Sequence, residues 1–130
     1  MNRIGLAIAA LAGMSLLAGP AVAKDKVTGQ QKLEKLLEGR TAGKPKDCIS
    51  RFDQNDMQMI DDTALVYGRG KTIWVNVPAN PENLDSSDIM VTHPWGSQLC
   101  RLDRVNMIDQ TGHFYAGPVF LGKFVPYTRD

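Results

Sequence analysis

Histidine and cysteine are scarce in this chain, and neither sign of charge dominates it. Its 130 residues include two His, at 93 and 113, and two Cys, at 48 and 100. Spread that way they contain no close ligand pair, so the usual structural zinc patterns are excluded and no metal or other cofactor is expected. A formal charge of +1, from 15 Lys and Arg against 14 Asp and Glu, offers no basic field for gripping phosphates. A nucleic-acid partner is therefore not expected. No Gly-rich phosphate loop, His-Glu-x-x-His or Gly-x-Ser-x-Gly occurs, so the commonest catalytic signatures are missing. Asp53-Gln54-Asn55-Asp56 opens like a calcium loop, but Gln58 stands where that loop needs Gly and Ala64 where it needs Glu.

What is present begins at the N-terminus. Arg3 precedes an apolar stretch, Ile4 to Ala18, which Gly19-Pro20 interrupts before Ala21-Val22-Ala23. A short apolar run after a positive start, ending in a small-x-small triplet, predicts a signal peptide over 1–23, with Ala21, Ala23 and Lys24 marking the cleavage. The alternative is an uncleaved N-terminal anchor. Pro20 follows Leu16-Leu17-Ala18-Gly19, so the Cys that a lipoprotein signal requires is absent. Removing 1–23 takes Arg3 with it and leaves 14 positive and 14 negative side chains. No later run approaches bilayer-spanning length, so no transmembrane segment is expected after cleavage. The expected address is periplasmic or secreted.

In such an oxidising compartment an even cysteine count favours a structural disulfide, Cys48–Cys100, over free or intermolecular thiols. The spacing is unlike the Cys-x-x-Cys of redox catalysts.

The mature chain reads as one helix followed by strands. Leu33, Leu36 and Leu37 recur at helical spacing between Thr28, a natural N-cap, and Gly39, a natural stop. Glu34 and Glu38 share a face of that helix and read as solvated. Thr41 to Pro45 reads as a loop. Extended segments are predicted at 57–60, 63–67, 72–77, 88–92 and 99–108, where a bulge near Asp103-Arg104 would restore the alternation. Gly68 and Gly70 mark the turn of a hairpin, and 114–115 with 119–125 reads as a last hairpin around Gly117-Pro118. The expected fold is mainly β: a small antiparallel barrel or sandwich of six to seven short strands with one N-terminal amphipathic helix. Residues 24–45 form helix and linker, and 46–128 a single β domain.

Residues 59–78 align without gaps on 107–126, with identities at Met59/Met107, Ile60/Ile108, Asp61/Asp109, Thr63/Thr111, Tyr67/Tyr115, Val77/Val125 and Pro78/Pro126. Both copies read as strand, Asp-centred turn, hairpin, with the Asp bonding nearby backbone N–H groups. Duplication and convergent hairpin grammar both account for the match.

His93-Pro94-Trp95-Gly96 carries a bulky aromatic on a turn, because Pro94 extends His93 and Gly96 permits a tight bend. For so small a core the expectation is a Trp95 folded back as a lid; the alternative is an exposed anchor, with His93 and Trp95 forming a binding surface. A nucleophile triad can be written on paper from His93, Asp88 and Ser97, and sequence separation alone does not make it geometric.

Cys48-Ile49-Ser50, Ile60-Asp61-Asp62-Thr63, Tyr67, Gly96-Ser97-Gln98-Leu99-Cys100-Arg101-Leu102-Asp103 and Leu121-Gly122-Lys123-Phe124-Val125-Pro126-Tyr127 together carry a likeness. On them, roughly residues 33–128 resemble a family of small exported proteins of unknown function from Gram-negative bacteria, commonest among alphaproteobacteria such as the sphingomonads. Related families often carry further cysteines, near the Pro81 loop and near the C-terminus, which this chain lacks. The resemblance implies a periplasmic or secreted address, favours the Cys48–Cys100 pairing and supplies no activity.

The expected function is a non-catalytic binding or structural module of the cell envelope, taking an unidentified protein or small ligand. The rival is a small hydrolase or inhibitor-like protein with a pocket near His93, Asp88 and Ser97. A third reading is an oligomeric structural protein.

Overall fold

Thr28 opens the helix. Its hydroxyl accepts from the Gln31 N–H at 3.2 Å, and the Gln31 side chain accepts from the Thr28 N–H at 2.9 Å, a reciprocal capping box at the start of α1 (Gly29–Leu37). Gly39, with φ +72°, lets the chain leave the helix. The computed structural model describes residues 27–130; the signal-peptide reading of 1–23, with Ala21, Ala23 and Lys24, lies outside them.

Ten antiparallel strands follow: β1 (Arg40–Ala42), β2 (Cys48–Ile49), β3 (Gln58–Ile60), β4 (Ala64–Tyr67), β5 (Thr72–Asn76), β6 (Ile89–His93), β7 (Leu99–Cys100), β8 (Arg104–Ile108), β9 (Tyr115–Val119) and β10 (Phe124–Arg129). They form three sheets, ordered β1-β10-β5-β4-β3, β2-β7 and β6-β8-β9. The fold is mainly β, as expected, without a closed barrel.

The five-stranded sheet is buried on both faces at its centre, because β4 and β5 alternate between two cores. Ala64, Val66, Ile73 and Val75 pack with Leu33 of α1 and Ile60. Leu65 and Tyr67 point the other way and join Phe124, Val105, Met107, Val119, Ile49 and Leu99, so one core unites all three sheets. Burying each such aliphatic side chain contributes about 1.5–3 kcal/mol. Asn76, fully buried at the end of β5, completes this core by donating to the Gly122 C=O at 2.8 Å and accepting from the Gly122 N–H at 2.9 Å.

Strand pairing gives the internal similarity a geometric meaning. Cys48 pairs with Cys100 across β2 and β7, and Asn76 pairs with Phe124 across β5 and β10. Asn76 and Phe124 are also matched positions in the alignment of 59–78 on 107–126, so the two units meet strand to strand at that pair. Both units begin with a hairpin, β3–β4 and β8–β9. They then part, since β5 pairs with β4 whereas β10 pairs with β5 and not with β9.

Four details of the expectation are corrected. The strands number ten rather than six to seven. Arg40–Ala42, read as linker, pairs with Tyr127–Arg129 in β10; Cys48–Ile49 pairs with β7; and 99–108 divides into β7 and β8. No bulge joins that last pair, because the Asp103 carboxylate accepts from the Cys100 N–H at 2.7 Å and turns the chain. The final hairpin around Gly117-Pro118 does not form. Those residues lie inside β9, and 120–123 cross from one sheet to another. Lastly, Asp109 accepts from the nearby Gly112 N–H as expected, but Asp61 reaches Ser86, taking its N–H at 2.6 Å and its hydroxyl at 3.1 Å.

Candidate functional site

The β2–β7 ribbon and the turn into β8 form the most tightly tied surface feature of the molecule. Cys48 and Cys100 lie directly opposite one another with Cα atoms 4.0 Å apart and are joined by the disulfide. The Arg101 N–H donates to the Asp47 C=O at 2.7 Å, and the Arg101 guanidinium lies 3.4 Å from the Asp47 carboxylate. Below the turn, Asp103 is buried and accepts from the Cys100 N–H. The short Cys100–Asp103 turn is thus fixed on both sides.

The turn and the segment after β9 each present a large apolar side chain to solvent. Leu102 is 84% exposed at the tip of the turn, and Phe120, beyond β9, is 60% exposed. Between them lies a groove of about 310 Å³, floored by Val105, Val119 and Leu121 and flanked by Arg101 and Arg104. Cys100 and Asp103 also line a neighbouring hollow of about 410 Å³ under Trp95, and a smaller one beside Leu102 includes both cysteines. Through these shared residues the surface runs without a break from Trp95 over the disulfide to Leu102 and Phe120.

Trp95 is 92% exposed, so it is not a lid. The loop from His93 to Gln98 is exposed throughout. The core beneath is already closed by Leu99, Val105 and Leu121, which leaves the indole nothing to cover. His93 ends β6 opposite Arg104 on β8, close to the same surface. Arg104 is exposed and forms no ion pair among the described residues.

The paper triad is not brought together. Asp88 precedes β6 and His93 ends it, which at strand rise separates them by roughly 16 Å; no hydrogen bond among the described residues links His93, Asp88 and Ser97. Asp88 belongs instead to an acidic end of the sheet, where partial burial and the neighbouring Asp85 and Asp109 charges raise its pKa above the ordinary carboxylate value. His113 sits exposed in the β8–β9 turn with φ +55°. No cluster of three or more metal-ligating side chains occurs among the described residues.

A wider hollow of about 610 Å³ lies between α1 and the β4–β5 turn. Its charges serve the fold: Asp56 pairs with Arg69 at 3.5 Å, and Arg40 Nη1 donates to the Lys71 C=O at 2.9 Å.

Of the residues on this surface, Trp95, His93 and the two cysteines stand as candidate site residues in the sequence reading, Trp95 there expected as a lid with an exposed anchor as the alternative; Leu102, Phe120 and Asp103 do not. The one signal for them was the Asp103-Arg104 break in alternation, which marks a turn and was read as a bulge. No family model, no curated protein and no solved structure matches the chain.

Proposed function

We propose that this protein is a non-catalytic binding module of the cell envelope, exported to the periplasm or beyond. Its docking surface is the strip Trp95–Cys100–Leu102–Phe120. The observation that carries this reading is the exposure of Leu102 at 84% on backbone held beside a disulfide, with Trp95, 92% exposed, on the loop that leads into β7. Large apolar side chains on a rigid base lose little conformational entropy on binding, and such residues dominate interface energetics. The partner is a protein segment that inserts an apolar side chain between Leu102 and Phe120 and brings a carboxylate to Arg104. Arg104 forms no ion pair among the described residues, and the neighbouring Asp103 carboxylate accepts from the Cys100 N–H instead. Export is supported by the N-terminal signal pattern and by a disulfide of the kind that persists in oxidising compartments.

The test has two arms. In a Trp74→Phe variant the remaining indole is Trp95, and iodide is expected to quench its emission strongly; weak quenching would mean that the anchor is covered. In the second arm, envelope proteins retained by the purified protein are identified, and the affinity of the purified partner is measured against Trp95→Ala and Leu102→Ala. Each substitution is expected to weaken binding about tenfold or more. Wild-type affinity in both variants removes this surface from the account.

A further inference from the structure

Each sheet of a fold has two edges, and an open edge invites pairing with another chain unless something blunts it. Five of the six edges here are managed. β1 and β3 are three residues long, and β2 and β7 are two. β9 is plugged: Asn80 and Asn83 donate side-chain amides to the Pro118 C=O at 2.8 and 2.7 Å, and Asn80 accepts from the Phe120 N–H at 2.9 Å.

β6 is the exception. Its five residues, Ile89-Met90-Val91-Thr92-His93, pair with β8 on one side and have no backbone partner on the other among the described residues. None of the five is buried. The strand contains no Pro, Lys, Arg, Asp or Glu, the residues that ordinarily protect an edge.

We infer that β6 is a self-association edge, on which a second copy of this chain pairs antiparallel about Val91 to give a continuous six-stranded sheet, β9-β8-β6-β6-β8-β9. The strand is complementary to itself. With Val91 facing its own counterpart, Ile89 falls opposite His93 and Met90 opposite Thr92, so inner-face residues meet inner-face residues and outer meet outer. The two ends carry opposite charge. At one lie Asp85, Asp88 and Asp109, where desolvation and then the charges of Asp85 and Asp109 raise the Asp88 pKa; at the other Arg104 stands opposite His93 and forms no ion pair among the described residues. Antiparallel pairing sets the acidic end of one copy against the basic end of the other, whereas a parallel arrangement would stack like on like. The same complementarity selects a second copy over an arbitrary extended peptide. The docking strip lies beyond the C-terminal end of β6; the two readings share Arg104, and substitutions at Val91 test the β6 edge without touching the strip.

The experiment is sedimentation velocity on the purified protein up to about 1 mM, a concentration that reveals even weak dimers. The wild type is expected to dimerise reversibly. Val91→Lys and Val91→Glu, each alone, are expected to be monomeric, since like charges then face each other across the axis. An equimolar mixture of the two is expected to restore a dimer. A wild type that stays monomeric throughout overturns the inference, as does a wild-type dimer that either variant leaves intact. Folded variants that fail to combine overturn it as well. Hydrogen exchange on the wild type keeps the test decisive if the substitutions unfold the chain: amides 89–93 are expected to exchange more slowly as concentration rises, and unchanged exchange there sinks the proposal.

Discussion

Tyr67 is only 2% exposed, packed edge-on against Phe124 with ring centroids 5.9 Å apart, and its buried hydroxyl has no hydrogen-bond partner. The ring contributes packing, whereas the hydroxyl gives up water and gains nothing in return. Tyr67→Phe is therefore expected to leave stability unchanged or raise it by about 1 kcal/mol, read from urea denaturation at neutral pH. Burial also pushes the phenol above its ordinary pKa. Because the folded pKa is the higher one, no penalty exists below about pH 10, where the phenol is neutral in both states. Above that pH the unfolded chain ionises first, and stability falls by up to about 1.4 kcal/mol per pH unit. The extra alkaline loss should vanish in Tyr67→Phe; identical alkaline profiles would show that the ring is not buried. Asn76 is the opposite case, a buried polar side chain fully used. Asn76→Ala strands both the N–H and the C=O of Gly122 and is expected to cost about 2–4 kcal/mol, measured by the same denaturation.

Among the elements, the Cys100–Asp103 turn bears on the docking strip directly, because the Asp103 carboxylate is one of the groups, with the disulfide and the Arg101 N–H, that hold the backbone presenting Leu102. Asp103→Ala is expected to cost about 1–3 kcal/mol and to raise hydrogen exchange at Cys100. It should weaken partner binding even though Asp103 itself is buried beneath the surface. Which elements were legible in sequence follows from where their information lies. The helix could be read because Thr28, Gly39 and the leucine spacing are local signals, and the β4–β5 hairpin because Ile73 and Val75 alternate beside Gly68 and Gly70. β1 could not, since Arg40-Thr41-Ala42 has no apolar alternation and becomes a strand only when β10 offers it a ladder. β2 has the same origin opposite β7. The last strands were misplaced because Gly117-Pro118 is a turn signal by composition. Pro118 is nevertheless tolerated in β9, an edge strand where Asn80 and Asn83 supply hydrogen bonds to its C=O. The docking strip was half legible. A Trp between Pro and Gly announces itself, whereas an exposed Leu or Phe is visible only after the core has claimed its neighbours.

At the scale of the whole molecule, the disulfide and the β5–β10 pairing both join the first half of the chain to the second. The first is covalent and the second a five-residue ladder with Asn76 and Phe124 at its end. A link across 52 positions limits the unfolded chain far more than it alters the folded one. Chain-entropy arguments put its contribution at roughly 4 kcal/mol, against a typical net stability of about 5–15 kcal/mol for a domain. Reduction should therefore lower the urea midpoint substantially and raise the slope of the transition, because the reduced unfolded chain exposes more surface. The five-stranded sheet and α1 do not depend on the link for their ladders, so far-UV circular dichroism before the transition should change little. The docking surface should suffer first, since β2 and β7 have only two residue pairs to hold them once the sulfurs part. Partner binding is thus expected to fall at reductant concentrations where the fold as a whole survives. If binding and global unfolding are instead lost together, the disulfide acts only through overall stability and not by holding the strip in place.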